Sequence, residues 1–143
     1  MNTLNTVIRL HRWNLDEKRR ALGELEALAS RLDDQISRLD SDLAGERDLA
    51  SAGGESAAAF AAYLKGVRTR RAHLAESRGQ VSLQVSVAGD EISEAYRELK
   101  KFEVAQADRD RRAHIRLRRR EAQILDEVAL TGHVRRSGTE PAG

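Results

Sequence analysis

The chain contains no cysteine, which excludes disulfides and thiolate metal sites together. Its one proline, Pro141, stands near the C-terminus, so no proline interrupts a helix before it. Aromatic residues make up only 3% of the sequence: two Phe, two Tyr and one Trp. So few rings cannot fill a wide core, and what is buried is expected to be a seam between helices. No apolar run approaches the ~18 residues that a membrane span requires. Residues 1–15 lack the apolar stretch of a secretion signal. These absences lead to the expectation of a soluble, cytoplasmic protein.

What is abundant is charge and helix formers. Asp, Glu, Lys and Arg together are 34% of the chain, and the basic residues are 21 Arg against 4 Lys. From Leu4 to Ala50, apolar residues recur at alternating steps of four and three. Ile8, Leu15, Leu22, Ala29, Ile36, Leu43 and Ala50 take heptad position a. Leu4, His11, Lys18, Leu25, Leu32, Leu39 and Glu46 take position d. A 3.5-residue period held this long is the signature of a coiled-coil seam, and one helix cannot bury so narrow a stripe alone.

The sharpest break is Ser51-Ala52-Gly53-Gly54-Glu55-Ser56, where paired glycines allow a tight reversal and Ser56 is placed to cap the next helix. The second helix carries its own seam: Phe60, Leu64, Val67, Leu74, Val81, Val85, Ala88, Ile92, Ala95, Leu99 and Phe102. Arg71 and Arg78 are the exceptions in that register. Gln80–Asp90 is β-branched, but the heptad continues through it, so it is read as helix. After Phe102 the register slips, and Ala113, Leu117, Ile124 and Val128 fit only with a stutter.

The expected fold is therefore all-α, an antiparallel two-helix coiled-coil hairpin with the second helix longer than the first. A single domain is expected over residues 1–130, with helix one at about 3–50, a loop at 51–56 and helix two at about 57–129. Residues 131–143 are expected to form a flexible tail. Reflection about the turn pairs residues whose numbers add to roughly 103–110, and the a-to-d rule fits either end of that range. Helix two then outlasts its partner by about 25 residues, a projecting stretch of roughly 35–40 Å.

Catalytic chemistry finds no frame in this sequence. Gly53-Gly54 lacks the lysine of a phosphate-binding loop, and His11, His73, His114 and His133 lack metal-site spacing. No enzyme activity, catalytic residue, metal or cofactor is expected. Candidate surfaces are of another kind. Asp108–Glu121 holds seven Arg against three acids, and no seam partner remains within the chain for the apolar residues threaded through it. It admits a solvated face, a nucleic-acid contact through Arg109–Arg120, or docking on an acidic protein surface. Trp13 falls off the seam beside Arg9 and Arg12 and is a possible hot spot for a partner. Phe60, Tyr63 and Leu64 form an aromatic cluster near the turn.

Four stretches carry a family resemblance. They are L-x-x-x-I-R-L-x-x-W-x-L-D-E-K-R-R-x-L-x-x-L-E (Leu4 to Glu26), A-Y-L-K-G-V-R-x-R-R (Ala62 to Arg71), E-L-K-K-F-E (Glu98 to Glu103) and a late L-D-E (Leu125 to Glu127). With the hairpin topology and the longer second helix, the chain resembles the FliJ family of the bacterial flagellar type III export apparatus. The resemblance implies a non-enzymatic, stalk-like coiled coil that couples the hexameric export ATPase to the cytoplasmic domain of the membrane export gate and assists export chaperones. It also implies a cytoplasmic location, peripheral to the inner membrane at the flagellar base. On this reading Lys101, Phe102, Glu103, Arg112, Arg116, Leu117, Arg119, Arg120 and Ile124 lie on the ATPase side, and Phe60, Tyr63 and Leu64 on the gate side. No nucleic acid and no membrane insertion are expected. The alternatives are a nucleic-acid-binding coiled coil, or the equivalent stalk of a non-flagellar secretion system.

Overall fold

The computed structural model describes residues 3–53 and 57–138. Two helices account for nearly all of them: α1, Thr3–Ser51, and α2, Ala57–Gly138. No strand occurs among the described residues, and Gln80–Asp90 is helical throughout. Val81 and Val85 serve the seam, and that packing overrides their strand preference. Gly54 and Ser56 of the expected turn, and residues 139–143 of the expected tail, lie outside the described residues.

Contacts group the chain into two units: Leu10–Glu98, and Met1–Arg9 with Leu99–Gly143. The first is a hairpin. Its buried side chains are Leu15, Ala29, Val67, Val81 and Ala95. Leu22, Leu25, Leu32, Ile36, Leu39 and Leu43 are half-buried between them, as are Leu64, Leu74, Val85 and Ile92. The polar seam residues His11, Lys18 and Glu46 are half-buried as well. Burying one of the large side chains contributes about 1.5–3 kcal/mol, so the row of them outweighs any single polar link.

Three ion pairs fix the direction and register of the hairpin. Lys18 Nζ donates to Glu91 Oε2 at 3.4 Å. Arg78 Nε donates to Asp33 Oδ1 at 2.8 Å. Arg71 grips Asp40 with both ends of its fork, Nε to Oδ1 at 2.8 Å and a terminal nitrogen to Oδ2 at 3.3 Å. Numbers rise on one helix as they fall on the other, which is antiparallel pairing. The paired numbers add to 109 for one pair and 111 for the other two, at and just beyond the upper edge of the expected range. Arg71 departs from its expected seam place: it is exposed, because its guanidinium reaches out to Asp40 instead of lying between the helices. That same carboxylate raises the Arg71 pKa further above its already high value, first through the hydrogen bond and then through charge.

The turn begins as the sequence suggests. Ala52 N donates to Asp48 O at 3.1 Å, and Gly53 N donates to Ala50 O at 3.2 Å, tightening the last turn of α1. Gly53 has φ of +84°, the left-handed conformation that ends many helices and that glycine adopts without a Cβ penalty.

In the second unit, Ile8 and Leu99 are buried and Leu4 and Phe102 half-buried. The α2 helix does not end near residue 129. It runs to Gly138. Gly132 costs only about 1 kcal/mol inside a helix. Thr131, Arg136 and Ser137 fold their side chains back onto the carbonyls of Glu127, Gly132 and His133, one turn earlier. Arg135 and Arg136 in the last turn also complement the negative end of the helix.

Candidate functional site

The stretch that lacks an internal partner is the end of α2. Leu4 of α1 lines a shallow cleft of about 380 Å³ with Ala105, Asp108, Arg109, Arg112 and Arg116. From Arg109 to Gly138 every residue is exposed except Gly132, which is half-buried. These thirty or so residues amount to about 45 Å of helix at 1.5 Å per residue.

Asp108 stands at the root of this stretch. It accepts a hydrogen bond from a terminal nitrogen of Arg111 at 2.7 Å and pairs with Arg112 Nε at 3.0 Å. The Arg111 hydrogen bond holds the carboxyl below the ordinary carboxylate range, aided by both guanidinium charges and opposed by partial desolvation. Gln106 Nε2 donates to Asp110 Oδ1 at 3.0 Å, so a second acid is also held along the helix. Further on the pattern changes. Among the described residues, Arg116, Arg118, Arg119 and Arg120 draw no ion pair.

Of the residues expected on the ATPase side, Arg112, Arg116, Leu117, Arg119, Arg120 and Ile124 share this exposed stretch, with Leu117 52% and Ile124 54% exposed. Lys101 is exposed, while Phe102 and Glu103 are half-buried where α1 still runs alongside. The Glu103 carboxylate accepts from Lys100 Nζ at 3.1 Å. Ala113, Leu117, Ile124 and Val128 fall within about 60° of arc at 3.6 residues per turn, so they make one stripe. The structure adds apolar residues that the stripe rule passed over: Ile115, Leu125, Leu130 and Val134 are exposed as well. Their signal was apolar character off the register in a helix with nothing left to pack against.

The hairpin unit carries the remaining candidates. Trp13 is 62% exposed, in keeping with its place off the seam. Leu10, three residues earlier, is exposed beside it, and the two make an apolar step that the seam pattern hid. Phe60, Tyr63 and Leu64 are all half-buried. Tyr63, which falls off the a and d positions, is thus partly covered. Leu83 and Val87, four apart on α2, are exposed in a run without charge from Gly79 to Gly89.

Among the described residues, no cluster of three or more His, Cys, Asp or Glu is placed to hold a metal ion. No helix among them is long and apolar enough to cross a membrane. No curated protein and no solved structure matches the chain. A family model described as flagellar FliJ protein matches residues 1–138. That match spans both helices and the exposed end of α2, and on it the chain belongs to the flagellar FliJ protein family.

Proposed function

We propose that this chain is a non-catalytic, stalk-like coupling component of flagellar protein export. In this reading the exposed end of α2 docks on the hexameric export ATPase, and the turn end of the hairpin meets the cytoplasmic domain of the membrane export gate. Family membership supports a role in flagellar export. The observation that carries the docking reading is the end of α2 itself. An apolar stripe of Ala113, Leu117, Ile124 and Val128 lies uncovered, flanked by Arg116 and Arg120 without ion pairs among the described residues, with Arg119 further round the helix. Arg presents a rigid fork suited to carboxylates and is weakly hydrated, so it favours an acidic protein surface. Lys101, Phe102, Glu103 and Arg112 extend that surface towards the start of α1. Phe60, Tyr63 and Leu64 are the proposed gate contacts, and exposed Trp13 is a proposed hot spot for a partner. The working location is cytoplasmic, against the inner membrane at the flagellar base.

The test is a chain truncated after Asp108. The hairpin's buried residues and cross-helix ion pairs all precede that point, so helicity per residue should hold. Binding to the ATPase and stimulation of its hydrolysis should both be lost. Association of the full chain should slow about tenfold as salt is raised, because electrostatic steering acts on the on-rate. Full stimulation by the truncated chain would move the coupling surface to the hairpin and defeat the proposal. Salt-sensitive retention on DNA, with no ATPase contact, would favour the nucleic-acid reading instead.

A further inference from the structure

The exposed end of α2 has a charge pattern that its apolar stripe alone does not require. Residues 109–120 hold seven Arg and one acid, Asp110. Residues 121–130 hold Glu121, Asp126 and Glu127 with no Lys or Arg. The stripe is itself nearly symmetric about the boundary between these two segments. Ala113 and Val128 stand at equal distances from it, as do Leu117 and Ile124.

We propose that the stripe is covered by a second copy of this chain, laid antiparallel across it. Residues whose numbers add to 241 then face one another. Leu117 packs on Ile124 of the second copy and Ala113 on Val128, and the two-fold axis repeats both contacts. At 3.6 residues per turn, Arg112, Arg116 and Glu127 share one flank of the stripe, and Arg118 and Glu121 the other. Glu127 of the second copy therefore falls between Arg112 and Arg116, and Glu121 falls beside Arg118. A parallel pair would instead face the flank of Arg112, Arg116 and Glu127 with the flank of Arg118 and Glu121, which sets Glu127 nine residues along from Arg118 and leaves it without an arginine. Antiparallel pairing gives Arg116 and Arg118 carboxylates, and it does so because the acids follow the arginines in sequence.

The pairing is bounded by α1. Residue 133 of the second copy comes level with residue 108, where the first turn of α1 lies, and Gly132 is the natural place for the helix to turn aside. Four apolar layers make a small contact, of the transient class that buries less than about 1,200 Å². This inference stands apart from the ATPase reading. It describes a second state of the same surface, and the two occupants exclude each other.

The experiment uses the full chain alone, by sedimentation equilibrium at concentrations from about 1 µM to 1 mM, the span of weak association. A monomer–dimer equilibrium is expected. Arg116→Glu and Glu127→Arg should each weaken the dimer about fivefold or more, and the double swap should restore it to within about twofold, as a direct pair requires. Both residues are exposed, so circular dichroism should show unchanged helicity in all three variants. Direction is read separately. The chain has no cysteine, so Leu117→Cys and Ile124→Cys each introduce a single thiol. On oxidation of an equal mixture, the disulfide joining 117 to 124 should predominate. Two thiols at position 117 would sit about seven residues, or roughly 10 Å, apart along the axis, beyond disulfide reach. A monomer throughout, a double swap that stays weak, or homodisulfides in excess would each overturn the proposal. None of these readouts involves the ATPase, so failure here and failure of the docking reading are separate results.

Discussion

Leu15 and Leu117 are the same residue on the same kind of element, and their surroundings give them opposite weight. Leu15 is 3% exposed and Leu117 is 52% exposed. Leu15→Ala should cost about 2–3 kcal/mol, because the lost contacts leave a gap between two helices that close only in part. Leu117→Ala should change the stability of the monomer by less than about 0.5 kcal/mol. Urea denaturation of both variants checks the contrast. Asp108 supplies a pH prediction. Its native pKa is lowered, chiefly by the Arg111 hydrogen bond. The pairing therefore contributes at pH above the ordinary carboxyl value and is lost as pH falls through the lowered native value. An NMR titration should find the Asp108 midpoint below that of an unperturbed Asp, and Arg111→Ala should move it upward.

At the scale of the element, the helices were legible because the heptads are nearly unbroken from Leu4 to Phe102. Every a and d site read on α1 is buried or half-buried. The register was harder, since a-to-d packing tolerates several offsets. Yet its signal was present. Asp33 and Asp40 lie one heptad apart on α1, Arg71 and Arg78 one heptad apart on α2, and only one antiparallel offset joins both pairs. Reading Arg71 and Arg78 as seam exceptions hid their partners. The end of α2 was misplaced because Gly132 and the composition of the tail suggested fraying, while the helix continues through Gly132 to Gly138. The exposed stripe was visible as a surplus of apolar residues, but no periodicity names an occupant. A double-mutant cycle on Arg78 and Asp33 should return a coupling of about 0.2–1 kcal/mol, the range for solvent-exposed pairs. These pairs then choose the register more than they hold the fold.

At the scale of the whole molecule, protection is expected to be uneven. Amides of the hairpin unit around Ala29 and Val81 should exchange slowest in native-state hydrogen exchange. Those from Arg109 to Gly138, with no tertiary cover, should exchange orders of magnitude faster. A stretch beyond Arg109 as protected as the hairpin would show that another chain covers it. The ion pairs of the hairpin carry a consequence for kinetics. Their partners are separated by 31, 45 and 73 residues, from Arg71–Asp40 through Arg78–Asp33 to Lys18–Glu91. Closing the widest loop first is entropically the most costly route, whereas each layer formed near the turn shortens the loop left for the next. The hairpin should therefore zip from its turn outward. Chevron analysis should find that Leu39→Ala slows folding while Leu15→Ala mainly speeds unfolding, and residues added beside Gly53 should be felt in the folding rate before they are felt anywhere else.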